Sequence, residues 1–360
     1  MTAQSDPPSP ERLGRPPRFV VAVLSLVVLA IAGWSAVWYF GTRKADALMT
    51  EWLASEAVKG RTYECSRHGI GGYPFRVEVS CKSPVLDIAD SAPRIRVEAR
   101  DFRAVAQVWD ISHVIFEIDG PIRLESGDRR NNPEMAVNAD WQLLQGSLRA
   151  PEGRVARVDL AITGLTVTPD PATLGPAGGA AVSARHVDLH GRNTESRSGV
   201  GRDYDVAFGA QDLVVTLDGR AAPEAVDVAF VGQFDSMPYP PPREPEAFLA
   251  AWRENGGSVA VERLSAAQGD SEIRASGRVV PDGAGRPEGT VTVSLAGPDI
   301  NTPGSAGAFG GLAPIIALAL RLTGKPDQID GRTALSGEIE IREGTVYLGA
   351  MPITELPRLF

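Results

Sequence analysis

The chain has 360 residues, of which 43% are hydrophobic and 22% are charged, and its formal net charge at pH 7 is −9. This length provides for two or three domain-sized units with a large core. The acidic balance, with an isoelectric point near 5.1, argues against a nucleic-acid-binding protein, which normally carries a basic face.

Residues 19–40, FVVAVLSLVVLAIAGWSAVWYF, form an apolar stretch without a charged side chain. A helix over this stretch rises about 1.5 Å per residue and so matches the ~30 Å hydrocarbon core of a bilayer. Its C-terminal end carries aromatic side chains of the kind that settle at a headgroup interface: Trp34, Trp38, Tyr39 and Phe40. The stretch therefore predicts a single transmembrane helix over 19–40.

Basic residues flank the apolar stretch on both sides, with Arg12, Arg15 and Arg18 before it and Arg43 and Lys44 after it. This weak positive-inside bias predicts that residues 1–18 form a cytoplasmic tail and that the bulk of the chain lies across the membrane.

A cleaved signal peptide stays open as the alternative, because residues 30–32 read Ala-Ile-Ala, a small-residue cleavage pattern. The apolar run continues past that pattern with the aromatic residues. This continuation favours a retained anchor.

Residues 41–60 carry apolar side chains at the spacing of one helical stripe: Ala45, Leu48, Met49, Trp52, Leu53 and Ala57. The charged side chains Arg43, Lys44, Glu51, Glu56 and Lys59 lie off this stripe, and Gly60 ends the pattern. We predict a juxtamembrane amphipathic helix that continues from the apolar stretch and packs its stripe under the next domain.

From residue 61 onward the dominant hydrophobic period is two, as in RIRVEAR at 94–100. Similar alternation recurs along the chain, at 114–118, 213–217, 291–295 and 338–342. Such alternation is typical of antiparallel strands with one wet face. We predict a mainly β (α+β) domain over 61–360, built as a long antiparallel twisted sheet with a few short helices. A change of phase between Ala99 and Phe102 predicts a bulge.

Glycine-marked turns predict hairpins in several segments, at 259–282, 181–192 and 204–220. Two helices are predicted within the sheet. Residues 243–257 have Pro245 in the first turn and end at glycine. Residues 311–324 are almost wholly apolar and too short to cross a bilayer, so they are either a buried core helix or a segment that contacts the membrane. The proline-rich stretch 236–245 predicts a boundary between two halves of the domain.

Cys65 and Cys81 are the only cysteines, and they enclose the glycine-rich turn sequence at 69–74. If residues 62–65 enter this turn as a strand and the residues after it leave as another, the two cysteines come within disulfide range. A metal site has only His68 to add and lacks a fourth ligand, and the C-x-x-C redox spacing is absent. We predict a structural disulfide, worth about 3 kcal/mol in the chain-entropy model.

The sequence contains no G-x-S-x-G, H-E-x-x-H, Walker or dinucleotide-binding motif. His186 and His190 fall on a predicted strand, where they would lie about 13 Å apart and could not share a metal ion. We therefore predict a protein that is not an enzyme and that holds no cofactor or metal.

The segment GGYPFRVEVS (71–80), the helix around Trp52 and the closing residues 331–360 together resemble a bacterial envelope family of unknown function, the domain-of-unknown-function family 2125 (DUF2125). The most specific motif is GYPFR, formed by Gly72, Tyr73, Pro74, Phe75 and Arg76. Tyr73 stands where phenylalanine is the more usual residue. The closing segment also resembles, more weakly, AsmA-type domains, which are β-rich proteins implicated in lipid handling. The resemblance implies a single-pass inner-membrane protein with a periplasmic domain, and it supplies no catalytic residue.

Within the motif, the glycines permit a turn, and Pro74 is expected to hold Tyr73 extended. Phe75 is expected to enter the core beside the disulfide. Arg76 is either a solvated strand residue or the partner of a buried carboxylate or a lipid phosphate.

Two functions from different classes remain open. The favoured one is contact with the membrane and shielding of phospholipid or another envelope lipid along an apolar sheet face, for which Val97 and Phe116 are the candidate residues. Each buried CH₂ of an acyl chain would contribute about 0.8 kcal/mol. The alternative is a non-catalytic scaffold with a filled core that binds envelope proteins.

Overall fold

The computed structural model describes residues 17–89, 91, 93–127, 135–170, 173, 180–217, 220–221, 224–242, 244–297, 318, 320–349 and 351–356. Residues 1–16 of the predicted cytoplasmic tail (1–18) and most of the predicted helix at 311–324 lie outside these residues.

A single helix, α1 (Arg18–Val58), runs through the apolar stretch and the amphipathic segment without a break, as predicted. It is long and apolar enough to cross a membrane. Of the predicted stripe, Ala45, Met49 and Leu53 are half-buried, whereas Trp52 is exposed and packs its ring 5.1 Å from that of Tyr63.

The last turn of α1 buries a charged residue that lies outside the predicted stripe. Glu56 is buried and accepts hydrogen bonds from Lys59 Nζ at 2.8 Å and Arg61 Nε at 2.6 Å. The helix therefore attaches to the following strand by an ion pair as well as by apolar contact.

The rest of the described chain is antiparallel sheet. The strands of the N-terminal part are β1 (Arg61–Glu64), β2 (Arg67–Gly71), β3 (Arg76–Lys82), β4 (Val85–Ile88), β5 (Arg94–Glu98), β6 (Asp101–Gln107), β7 (Asp110–Asp119), β8 (Ile122–Gly127), β9 (Met135–Asp140) and β10 (Leu143–Arg149). Those that follow are β11 (Arg157–Pro169), β12 (Ala180–Thr194), β13 (Arg202–Leu217), β14 (Arg220–Ala221), β15 (Val226–Met237), β16 (Ser258–Gln268), β17 (Ser271–Pro281), β18 (Pro287–Ala296), β19 (Lys325–Ile329), β20 (Arg332–Arg342), β21 (Thr345–Leu348) and β22 (Met351–Glu355). The predicted mainly β architecture with few helices is confirmed.

The first ten strands are pairs of half-strands. The β1–β4–β5–β8–β9 ladder and the β2–β3–β6–β7–β10 ladder lie side by side, and the second half of β11 continues the first ladder while its first half continues the second. Short interruptions separate the half-strands, at 65–66, 83–84, 99–100, 120–121 and 141–142.

These interruptions face one another across neighbouring strands, and we call the line they form the crease. It continues through Gly164 in β11, Arg185 in β12 and Asp212 in β13, where the pairing registers shift or skip. The predicted bulge near Ala99 is one point of this line, but it is wrong in detail, because β5 ends and β6 begins there. Bulge-like interruptions bend a strand, so aligned ones bend the whole sheet along one line.

From β11 onward, each long strand pairs with the next, and the hairpin predicted at 259–282 is confirmed as β16–β17. The hairpin predicted at 181–192 is wrong, because these residues lie within the single strand β12. Most of the segment 204–220 likewise lies within β13, which pairs with β12. The second helix, α2 (Pro245–Glu254), matches the helix predicted at 243–257. The stretch 236–245 joins β15 to α2, yet β15 and β16 pair directly, so the sheet continues across it.

A filled core occupies the C-terminal strands. Val293, Ile339 and Ile341 are buried there, with Val346 and Ile353 of the last hairpin packed against them. Elsewhere the buried apolar residues are dispersed, and most inward positions of the sheet are only half-buried.

Candidate functional site

The GYPFR motif forms the turn between β2 and β3, which pair from Gly71 opposite Glu78. Gly72 has φ +97°, and a Cβ there would lie 2.6 Å from the Arg76 carbonyl oxygen. Glycine is therefore required at this position, because the left-handed conformation and the close approach both exclude a side chain. Tyr73 lies in the turn, outside both strands, and its peptide bond to Pro74 is cis.

The turn packs against the C-terminal part of the apolar stretch. Trp34 Nε1 donates to the Pro74 carbonyl at 2.8 Å, and Trp38 Nε1 donates to the Arg76 carbonyl at 3.3 Å. The hydroxyls of Ser35 and Tyr73 lie 2.8 Å apart. The rings of Trp38 and Tyr73 meet edge to face at 5.4 Å. These contacts fix the first hairpin of the sheet to the helix.

The expectation that Phe75 enters the core beside the disulfide is wrong. Its side chain is 58% exposed and lies between two tryptophans, with centroid distances of 6.3 Å to both Trp34 and Trp109. The Phe75 ring therefore lies beside Trp34 of the helix and not in the core. Arg76 is also exposed, with Glu78 as its ion-pair partner at 3.6 Å.

The predicted disulfide between Cys65 and Cys81 is present, with a Cα–Cα distance of 5.4 Å. The predicted incoming strand was misplaced, because residues 61–64 pair with β4 and the strand beside Cys81 is β2. Cys65 lies in the crease between β1 and β2, and Cys81 lies buried in β3. The disulfide thus links the interruption between β1 and β2 to β3.

One face of the sheet carries an uninterrupted apolar row from β3 to β20. Residues that pair directly across antiparallel strands share a face, and this row reads Val79, Ala104, Phe116, Gly146, Leu160, Leu189, Phe208, Phe230, Leu264, Ala275, Val293 and Gly337.

A second row lies two residues along each strand from the first, or three in β16, where the register shifts. It reads Val77, Ala106, Val114, Leu148, Val158, Gly191, Val206, Gly232, Val261, Gly277, Val291 and Ile339. A third lies on the other side: Leu144, Ile162, Val187, Ala210, Val228, Ala266, Ile273, Leu295 and Leu335. We call these three rows the apolar face.

The middle of the apolar face is open. Leu189, Phe208 and Leu264 are 38%, 36% and 44% exposed, although each sits in the central row. In an ordinary sheet protein such positions are covered by a second layer. The described residues thus leave a strip of aliphatic and aromatic side chains accessible across consecutive strands.

Phe116 lies in the central row of the apolar face, as predicted for a candidate residue. A Cβ on its neighbour Gly146 would overlap Phe116 Cζ and lie 2.7 Å from Cε1 and Cε2, so the ring covers the glycine. Val97 lies on the other side of the crease, in a separate row with Leu86 and Leu124. The two candidate residues are therefore not neighbours, and only Phe116 belongs to the apolar face.

The opposite face of the central strands is charged and internally paired. Arg157 Nε donates to Asp159 at 2.8 Å, and His190 Nδ1 lies 2.8 Å from the same carboxylate. The hydrogen bonds from Arg157, opposed in part by desolvation and helped by His190, lower the pKa of Asp159 to about 2. Arg192 and Asp205 form a further pair at 2.6 Å. This face is therefore the solvent-exposed face of the central strands.

His186 and His190 both lie in β12, as predicted. His68 pairs with Asp46 at 3.0 Å, and His190 also lies 3.5 Å from Asp188. Within the described residues, no three His, Cys, Asp or Glu side chains are grouped as metal ligands. The predicted absence of a cofactor stays a prediction.

Sequence reasoning missed the contact between the GYPFR turn and the helix. The available signal was the pair Trp34 and Trp38, one helical turn apart, since two indole N–H groups on one face of an apolar helix need acceptors. Their interpretation as interfacial anchors explained them without a protein partner.

Comparisons with known proteins identify the family. The model of DUF2125, described as an uncharacterized protein conserved in bacteria, matches residues 38–357. No curated protein and no solved structure matches the chain, and no comparison supports the weaker resemblance to AsmA-type domains. Since the match extends from the end of the apolar stretch through the last strand, and includes the GYPFR turn and the whole sheet, the chain belongs to the DUF2125 family.

Proposed function

We propose that this protein is anchored in the bacterial inner membrane by α1 and shields the acyl chains of an envelope phospholipid along its apolar face. Residues 1–18 lie in the cytoplasm and the sheet lies in the periplasm. The role is non-catalytic. The observation that carries the lipid-shielding proposal is the exposed central row at Leu189, Phe208 and Leu264.

The physical reason is the free energy of transfer. Apolar surface removed from water contributes about 25 cal/mol per Å², and exposed apolar strips of this kind mark interaction sites in soluble domains. Acyl chains laid across the strands cover the exposed central row. The charged face needs no such cover, because its ion pairs, such as Arg157–Asp159, are already solvated.

The disulfide supports the periplasmic location. Stable disulfides belong to oxidising compartments, and the bacterial periplasm is one of them. The described sheet contains one, Cys65–Cys81. The positive-inside bias of the flanking arginines supports the same orientation.

The test is lipid retention by the full-length chain. The protein is purified from bacterial membranes in a mild detergent and its bound lipid is counted by native mass spectrometry. The Phe208→Asp variant is expected to retain at least tenfold less phospholipid than the wild type. Ala207→Asp is the matched control, because residue 207 is the preceding residue of the same strand and faces the charged side; it is expected to retain lipid.

A lipid-free wild-type chain that is fully folded would overturn the proposal. The scaffold function, which the filled core around Val293, Ile339 and Ile341 favours, would then take its place. Circular dichroism of both variants establishes that each is folded, so that lost lipid is not lost structure.

A further inference from the structure

The depth of the GYPFR turn along α1 follows from its hydrogen bonds. Trp34 and Ser35, which contact Pro74 and Tyr73, lie six and five residues before Phe40, the last residue of the apolar stretch. At about 1.5 Å per residue, this places the turn 7–9 Å inside the end of that stretch. Interfacial segments bury their apolar faces about 5–10 Å into the headgroup and acyl boundary. The turn therefore lies at the depth of an inserted segment.

Four carbonyls of the turn, those of Gly72, Pro74, Phe75 and Arg76, have the protein partners that a lipid environment requires. In hydrocarbon, polar backbone groups need partners within the protein, since water is absent. The Gly72 carbonyl accepts from Arg76 N at 3.1 Å, and the Phe75 carbonyl accepts from Val108 N at 3.2 Å. The Pro74 and Arg76 carbonyls accept from the two indoles of α1, and Pro74 has no N–H to satisfy.

Several side chains at this end of the sheet are apolar and exposed. Phe75 stacks toward Trp109 in the loop between β6 and β7. Ile111, next to that loop, is 73% exposed. An open groove of about 480 Å³ lies between the turn and this loop, with Tyr73, Phe75, Trp109 and Ile115 among its lining. Ionisable side chains, Arg76, Asp110 and His113, also line it, as expected at the level of lipid headgroups.

We propose that the β2–β3 turn and the β6–β7 loop insert together into the outer leaflet of the membrane that α1 crosses, and that the groove between them admits phospholipid acyl chains. This inference rests on the proposed anchor. Val77, Ala106 and Val114 of the apolar face begin directly beside the turn and the loop. The groove lies on the other side of these strands, because its lining residues Val105, His113 and Ile115 alternate with Ala106 and Val114.

The experiment measures the depth of this loop in a bilayer. The full-length chain carrying Ile111→Cys, with Cys65–Cys81 intact and one label incorporated per chain, is labelled with an environment-sensitive fluorophore. It is reconstituted into phosphatidylcholine vesicles whose acyl chains are brominated either near the headgroup or near the bilayer centre. The matched control is Asp270→Cys, an exposed residue in the β16–β17 turn at the opposite ends of the strands.

Insertion predicts that the label at position 111 is quenched at least twofold more by the shallow bromines than by the deep ones. The control label is not quenched by either. An unquenched label at position 111 overturns the inference. Equal quenching of the labels at positions 111 and 270 also overturns it. Phe75→Ser combined with Trp109→Ser is expected to reduce the quenching of the position 111 label, because both side chains flank the groove.

Failure of this inference is distinguishable from failure of the proposed function. A chain that retains phospholipid through Phe208 but leaves the position 111 label unquenched contradicts insertion and keeps the shielding function. A quenched label on a chain that retains no lipid supports insertion and contradicts shielding.

Discussion

The contact between Phe116 and Gly146 gives the sharpest prediction for the sheet. Glycine within a strand normally costs about 0.5–1 kcal/mol relative to alanine, so Gly146→Ala should stabilise an unconstrained strand. Here the added Cβ would overlap the Phe116 ring, and overpacking costs about 1–3 kcal/mol. We therefore expect Gly146→Ala to destabilise the wild-type chain by about 1–2 kcal/mol. In a Phe116→Ala background the same change should stabilise it by up to about 1 kcal/mol.

The two backgrounds define a double-mutant cycle with a coupling free energy of about 2 kcal/mol. Urea unfolding of the full-length chain in detergent, followed by tryptophan fluorescence, measures the free energy of unfolding of all four proteins. The Phe116→Ala single variant gives the change in the free energy of unfolding that comes from removing the ring alone. If Gly146→Ala has the same effect within about 0.5 kcal/mol in both backgrounds, the ring does not cover the glycine and the reasoning is refuted.

Three further predictions concern stability. Replacing Cys65 and Cys81 by serine should lower the free energy of unfolding by about 3 kcal/mol, and a reductant should lower the wild-type value by the same amount. Trp252→Phe should cost about 1 kcal/mol, because the buried indole donates to the Asp235 carbonyl at 2.8 Å and holds α2 on the sheet. Acid should remove the contribution of Asp159, whose pKa falls from 3.8 to about 2 on folding, chiefly through the hydrogen bond from Arg157. That contribution, at most about 2 kcal/mol before solvent screening, is complete above pH 3.8 and is lost as the pH falls through about 2.

Each of these predictions has a control and a contrary outcome. A reductant that further destabilises the double serine variant would show that its effect is not reduction of the disulfide. Trp52→Phe, at an exposed site, should change stability by less than about 0.5 kcal/mol, and an equal loss at both tryptophans would contradict the role given to the indole hydrogen bond. The free energy of unfolding of the Asp159→Asn variant should fall less in acid than that of the wild type. If the two proteins lose the same free energy of unfolding as the pH falls, the contribution assigned to Asp159 is contradicted.

The strand pattern of this sheet could be predicted from the sequence, because alternation within one strand reports its own two faces. The helix from Arg18 to Val58 was equally accessible, since it is continuous and without proline. The disulfide pairing followed from a count of two cysteines and a turn between them, even though the strand that carries Cys65 was placed incorrectly.

The crease could not be predicted, because it is a property of neighbouring strands and not of any single one. The sequence shows a phase change near Ala99, which is one interruption. Only the registers show that 83–84 and 120–121 lie on either side of it. Each interruption alone is a local irregularity, whereas their alignment bends the sheet.

The candidate site divides in the same way. Local chemistry identified Gly72 as the residue that permits the turn and Phe116 as an apolar face residue. It placed Phe75 in the core, because an aromatic side chain beside a disulfide is usually buried. The contact with Trp34 decided otherwise, since two indole donors on α1 needed acceptors that the turn carbonyls supply.

By itself, the sequence of this protein determined its long apolar N-terminal helix, its mainly β class, its disulfide and its family, because each depends on short-range spacing or on composition. The tertiary structure alone decided that the apolar residues of many strands form one continuous face, open at Leu189, Phe208 and Leu264. It also decided that the first hairpin lies against the apolar helix. Both features depend on which strand pairs with which and in what register, and that pairing joins residues far apart in the chain.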